Sequence, residues 1–138
     1  MSDPSEPTDN ASCLCGSGEQ LVACCGRFLD QGTPAETAEQ LMRSRFSAYS
    51  LKRVDYLIET THPDSRTPGT RRVIETNIER VTWTSLKILS ARQGLARDKI
   101  GKVEFAAEYQ TQGESHSHHE HSRFRRFEGK WKYFDDQG

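Results

Sequence analysis

All four cysteines of this chain fall within thirteen consecutive residues, and that cluster constrains how the first quarter can fold. The run is Cys13-Leu14-Cys15-Gly16-Ser17-Gly18, then a gap to Cys24-Cys25-Gly26. From Ser12 to about Gly32 there are too few apolar residues to bury a core, so the segment needs an external staple. Four soft thiolates match the tetrahedral shell that zinc prefers. Gly16 and Gly18 can turn the backbone sharply beside the first pair and aim amides at the sulfurs. Leu21 to Ala23 can form a short helical turn that delivers the second pair, and Gly26 can end it.

Two disulfides, an iron–sulfur cluster and redox-active thiols compete with zinc. Adjacent cysteines in a reducing compartment argue against disulfides. No familiar cluster spacing is present, and the redox pattern Cys-x-x-Cys is absent. With four protein ligands the shell is closed, so no water is left for the metal to activate. The expectation is one structural Zn2+ held by Cys13, Cys15, Cys24 and Cys25.

Composition bounds the rest. Nineteen basic against 20 acidic residues give a net charge of −1, so there is no global basic excess for phosphate neutralisation. Nucleic acid therefore ranks last among the partners, resting only on local residues (Arg71, Arg72, Arg123, Arg125, Arg126). No window of 18 apolar residues exists to span a membrane, and the polar first eleven residues lack a signal-peptide core. The cytoplasm is the expected compartment.

The chain divides into three segments: a disordered tail over residues 1–11, a zinc knuckle over 12–32 and a larger domain over 33–138. In the last, Thr33-Pro34-Ala35-Glu36 reads as a helix start, with Thr33 as cap and Pro34 in the first turn. Ala38, Leu41, Met42, Arg45, Phe46 and Tyr49 then recur at helical spacing. A second short helix is predicted over Leu51 to Thr61, ended by His62-Pro63, and a third over Thr70 to Arg80. The period then changes to that of strands: Trp83 to Ala91, Lys102 to Thr111, about His119 to Phe127 and Lys130 to Phe134. Val103, Phe105, Ala107 and Tyr109 alternate with polar neighbours, as on a half-buried strand. Glu128-Gly129 is a tight hairpin turn. Helices followed by an antiparallel meander make an α+β fold.

The cysteine run resembles the SEC-C motif, the zinc knuckle at the C-terminus of the SecA translocation ATPase. The rest of the chain resembles the uncharacterised bacterial YchJ family, through Leu41-Met42-Arg43-Ser44-Arg45-Phe46-Ser47-Ala48-Tyr49, Asp55-Tyr56-Leu57-Ile58, His62-Pro63, Val103-Glu104-Phe105, His119-Glu120, Ser122-Arg123-Phe124 and Gly129-Lys130-Trp131-Lys132-Tyr133. The resemblance covers nearly the whole chain. It implies a cone-shaped domain similar to nuclear transport factor 2, with helices packed into a curved antiparallel sheet. SEC-C knuckles usually carry Pro between the first cysteines and basic, aromatic residues before the second pair. Here Leu14 and Glu19-Gln20-Leu21 stand instead.

Folds of this kind often enclose a pocket between helix and sheet. Arg45 shares the apolar helix face, and a buried Arg calls for a carboxylate such as Glu104 or Glu120. A pocket built from Arg45, Tyr49, His62, Glu104, Glu120 and Arg123 is the candidate small-molecule or anion site. The histidine-rich run His116 to His121 matches no metalloprotease spacing, and only the first piece of a zinc deaminase signature. It reads as a solvated hairpin and weak metal binder. Trp83, Trp131 and Tyr133 read as packing residues. No catalytic set is assembled by sequence, so the favoured function is a non-catalytic adaptor that meets a protein partner through its knuckle. The alternative is a ligand-binding protein or enzyme using the pocket.

Overall fold

The computed structural model describes residues 10–137, so most of the expected tail lies outside the described residues. Helices occupy the first half: α1 (Gly26–Leu29), α2 (Ala38–Ser50), α3 (Val54–Glu59) and α4 (Thr70–Arg80). Four strands make up the second: β1 (Thr82–Gln93), β2 (Ile100–Thr111), β3 (Glu114–Phe127) and β4 (Lys130–Asp136). They form one antiparallel meander in the order β1-β2-β3-β4. The α+β arrangement is the one the change of period predicts. Among the described residues, no helix is long and apolar enough to cross a membrane.

The largest boundary differences from the sequence reading each have a local reason, and Gly26, expected to end the short turn, instead opens α1. Helix α2 starts at Ala38, capped by Thr37, whose Oγ1 accepts from the Gln40 N–H at 3.1 Å. Gln40 in turn accepts from the Glu36 N–H at 2.8 Å. Thr33 and Thr37 offer the same Thr-x-x-Glu/Gln pattern, but the Glu36 carbonyl accepts from the Trp131 indole at 3.0 Å. The segment before Thr37 thus lies across the C-terminal strand instead of opening a helix. Helix α3 begins at Val54 instead of Leu51, because Lys52 takes a left-handed φ of 62° and breaks the chain after α2.

Strand β3 begins at Glu114 instead of His119. Gln112 and Gly113 both have positive φ, 51° and 78°, and form a two-residue hairpin turn like Glu128-Gly129. The whole histidine run therefore lies inside the sheet, including His116 and His118, which the sequence reading leaves in the loop before the strand. Its register is fixed against β2: His118 opposes Ala107, Glu120 opposes Phe105 and His121 opposes Glu104.

One sheet face packs on α2 and carries Leu86, Val103, Phe105, Phe124 and Trp131 into the core. The four cysteines belong to the same buried cluster, with Leu41, Met42 and Phe46. A second cluster, Ala48, Leu57 and Ile74, joins α2 to α3 and α4. Gly94 and Gly101 let the β1–β2 end approach α2: a Cβ on Gly101 would stand 2.6 Å from the Gly94 Cα and 2.9 Å from the Ala38 Cβ. That closeness lets the Ala38 N–H donate to the Gly94 carbonyl at 2.8 Å, pinning the helix start to the sheet.

Candidate metal centre and helix–sheet pocket

The cysteine loop is a small backbone clasp. Cys13 N–H donates to the Glu19 carbonyl, Gly16 N–H to the Cys13 carbonyl and Leu21 N–H to the Ala11 carbonyl. Gly16 adopts a φ of +79°, and its missing side chain lets the turn lie against the Leu86 carbonyl of β1. The second pair follows a 3-10 turn, Leu21–Ala23, with Cys25 at the start of α1. All four sulfurs lie within 4.8 Å of one another, and every cysteine is buried.

This geometry fits a tetrahedral ion. Bonds of about 2.3 Å to sulfur imply sulfur–sulfur edges of roughly 3.8 Å, and Cys15 Sγ stands 3.6 Å from Cys24 Sγ. A disulfide needs about 2.0 Å, and all four cysteines are free. Outer groups address the sulfurs as well: Ser17 Oγ at 3.2 Å from Cys24, Ser47 Oγ at 3.8 Å from Cys13, and Arg43 Nη1 at 3.8 Å from Cys15. Arg43 also donates to the Cys15 carbonyl at 2.9 Å. Such partners orient ligands and offset their charge.

Without a cation the cluster cannot hold four negative charges. Hydrogen bonds with Cys15 and Cys25 lower the Cys13 thiol, whereas those with Cys13 and Cys15, and then burial, drive Cys25 well above its ordinary value. Burial pushes Cys24 up to about 11. The four thiols therefore share protons that a divalent ion displaces on binding.

A second site lies between α2 and the sheet, a pocket of about 330 Å3. Arg45 enters it from α2 with Tyr49; Trp83, Tyr109, His118 and Glu120 face it from the strands. Arg45 is buried, and its guanidinium stacks over the Tyr133 ring at 4.7 Å. Its Nη1 donates to the Leu57 carbonyl at 2.9 Å, Thr60 Oγ1 at 2.7 Å and Thr61 Oγ1 at 3.4 Å. Burial lowers its affinity for the proton, yet an arginine stays charged. Arg45 makes no ion pair among the described residues, and neither Nε nor Nη2 has a protein acceptor there. Opposite it, Glu120 accepts from Ser122 Oγ and lies 3.0 Å from His118 Nε2, a contact that fixes the orientation of that ring.

Comparison with known proteins places these features in a family. Residues 37–136 match the family model described as the middle NTF2-like domain of YchJ. The chain belongs to the YchJ-like family. It is 44% identical over 124 residues to a UPF0225 protein of Chromobacterium violaceum, covering 89% of this chain and 90% of the relative. A UPF0225 protein of Geobacter sulfurreducens is 38% identical over 130 residues, covering 91% and 78% respectively. The solution structure of a SEC-C motif containing protein from Rhodopseudomonas palustris superposes with a TM-score of 0.84 at 36% identity, over 93% of this chain and 98% of that one. A SEC-C motif containing protein from Psychrobacter arcticus gives 0.73 at 26% identity, over 92% and 82%.

In this YchJ-like chain the six pocket residues named from sequence separate. Arg45, Tyr49 and Glu120 converge; His62, Glu104 and Arg123 do not. His62 closes the end of α3, where its Nδ1 accepts from the Asp64 N–H and its ring packs edge-on against Phe127 and Phe134. Glu104 belongs to the polar set of β2 and points away from α2, toward His119. Arg123 opposes Lys102 on that same outer face and pairs with Asp135. The expected carboxylate partner of Arg45 is thus replaced by carbonyl and hydroxyl oxygens. A groove of about 570 Å3 elsewhere, between residues 28–35 and the start of α3, contains none of the six.

Sequence reasoning assigns Trp83 and Tyr133 to packing and His118 to a hairpin. Recognising the Gln112-Gly113 turn would place His118 on the helix-facing side. The local basic residues are largely committed: Arg71 to Asp55, Arg123 to Asp135, and Arg126 to the Asp98, Ala96 and Gly129 carbonyls.

Proposed function

We propose that this chain is a non-catalytic binding protein of the bacterial cytoplasm whose Zn2+ at the four cysteines is structural and whose pocket takes a small ligand bearing an anionic group. The zinc assignment rests on four buried thiol donors within 4.8 Å of one another, which would close the shell and leave no position for a reacting water. The ligand class rests on one observation, the Arg45 donors at Nε and Nη2 without protein acceptors beside a cavity rimmed by Tyr49, Trp83 and Tyr109. A guanidinium whose Nε and Nη2 open onto the cavity suits a carboxylate or phosphate, and the aromatic rim suits a planar body.

Benzoate and phosphate are the probes. Saturable shifts at the Trp83 indole and its Asn77 partner are expected in nitrogen-15 spectra, since Trp83 Nε1 donates to Asn77 Oδ1 at 3.0 Å. Arg45→Met should weaken the anion by roughly tenfold or more, the equivalent of about 1.4 kcal/mol or above for a charged hydrogen bond. Arg45→Lys keeps the charge and should retain part of the affinity. Identical affinity in Arg45→Met would sink the pocket reading.

The adaptor reading has its own support. Gly16 to Gln20 are five consecutive exposed residues on the rim of the cysteine cluster, a small rigid surface for a protein partner. A Glu19→Arg/Gln20→Ala variant should lose that partner in pull-downs while melting as the parent does. Undiminished capture would contradict this role.

A further inference from the structure

On the outer face of the sheet, away from the pocket and the cysteines, three metal-ligating side chains meet. His119 and His121 are two residues apart on β3, so the strand period puts both rings on one face. The antiparallel register sets Glu104 of β2 directly opposite His121, and Ala106 opposite His119. Ala106 is too small to fill the space beside His119, whose Nε2 reaches Glu104 Oε2 at 2.6 Å. His121 Nε2 approaches the same oxygen at 3.3 Å. The three ligand atoms all lie within 4.8 Å of one another.

We propose that Glu104, His119 and His121 form a second metal site, one that takes a borderline divalent transition ion such as Zn2+ or Co2+. Imidazole and carboxylate together suit that class of ion, whereas magnesium and calcium favour all-oxygen shells. Metal–nitrogen and metal–oxygen bonds of about 2.0–2.2 Å put tetrahedral donors roughly 3.4 Å apart. The observed 2.6 and 3.3 Å lie close enough to that spacing for rotamer adjustments to reach it. Ser90 Oγ on β1 donates to the other Glu104 oxygen at 3.4 Å, an outer contact of the kind that orients a ligating carboxylate.

The donor set differs from the cysteine centre in kind. Three protein ligands leave coordination for water or an exogenous group, and both histidines are solvent-exposed. Glu104 and His121 also line a depression of about 290 Å3 shared with Ser90, Arg92 and Lys102. Two cations beside an open metal position favour an anionic co-ligand over a neutral one.

Cobalt(II) titration of the reduced, metal-stripped full chain, which the first equivalent refolds at the cysteines, separates the two sites by absorption. Thiolate-to-cobalt charge transfer reports the cysteines; nitrogen and oxygen ligands give none. A second equivalent binding without a thiolate band is expected, and it should disappear in His119→Ala/His121→Ala with the first equivalent and the thermal melt unchanged. Glu104→Gln should weaken the second equivalent roughly tenfold or more. Saturation at one equivalent, or a second equivalent that survives in the double variant, would overturn the proposal. The thiolate band reads the cysteine centre separately, so failure of one site is not failure of the other.

Discussion

Stripping the metal with a strong chelator is expected to unfold the chain far beyond its cysteine loop, in one cooperative step. Cys13, Cys15, Cys24 and Cys25 share a single buried cluster with Leu41, Met42, Phe46 and Leu86, so the ion's ligands pack against the helix–sheet core. Four-thiolate zinc sites contribute about 10–16 kcal/mol of apparent folding free energy, comparable to the roughly 5–15 kcal/mol that holds a whole domain together. Cys15→Ser or Cys25→Ser should have the same effect, because both residues are fully buried. Acid should mimic the chelator. Protons compete for the thiolates, so the stabilisation is present at neutral pH and is lost as the pH falls. Helical circular dichroism and the fluorescence of Trp83 and Trp131 are the readouts. Loss of metal with both signals intact would show that the core stands without the ion.

Phe124→Ala is expected to cost about 3–5 kcal/mol, the range for emptying an aromatic side chain from a packed core. Phe124 has 0% exposure and lies on β3 beneath α2, edge-on to Tyr133 at 5.9 Å between centroids. Tyr133 in turn supports the Arg45 guanidinium. The cavity should therefore loosen the pocket as well as the core, weakening benzoate binding along with stability. Val73→Ala on α4 is the control: Val73 is 70% exposed, and its change should stay within about 0.5 kcal/mol. Urea melts of both variants provide the comparison. A Phe124→Ala loss below about 1 kcal/mol would mean that the core refills the space.

The elements legible in the sequence are those set by side-chain periodicity. The α2 face, from Ala38 to Tyr49, and the alternation of β2 are direct consequences of which residues avoid water. That alternation assigns Glu104 to the polar face of β2, so its parity rules it out as a partner for Arg45 on the other face. Helix starts are less legible, since Thr33 and Thr37 carry equivalent capping patterns. The choice between them is made by Trp131, nearly a hundred residues away, which donates to the Glu36 carbonyl. The first part of the histidine run reads as a loop, and the strand as starting only near His119, because Gln112-Gly113 is an inconspicuous turn. Once β3 is extended to Glu114, the same run divides by parity: His118 and Glu120 enter the pocket, and His119 and His121 meet Glu104 outside. The distant hydrogen bonds of Arg45 follow from the tertiary fold alone, and no local pattern announces them.

The most direct test is the metal content of untagged, natively purified protein, combined with thiol titration before and after chelation. At least one zinc per chain, with four thiols reactive only after that metal is removed, is the predicted result. Protein without metal, or with its thiols already paired as disulfides, would contradict a structural zinc at Cys13, Cys15, Cys24 and Cys25.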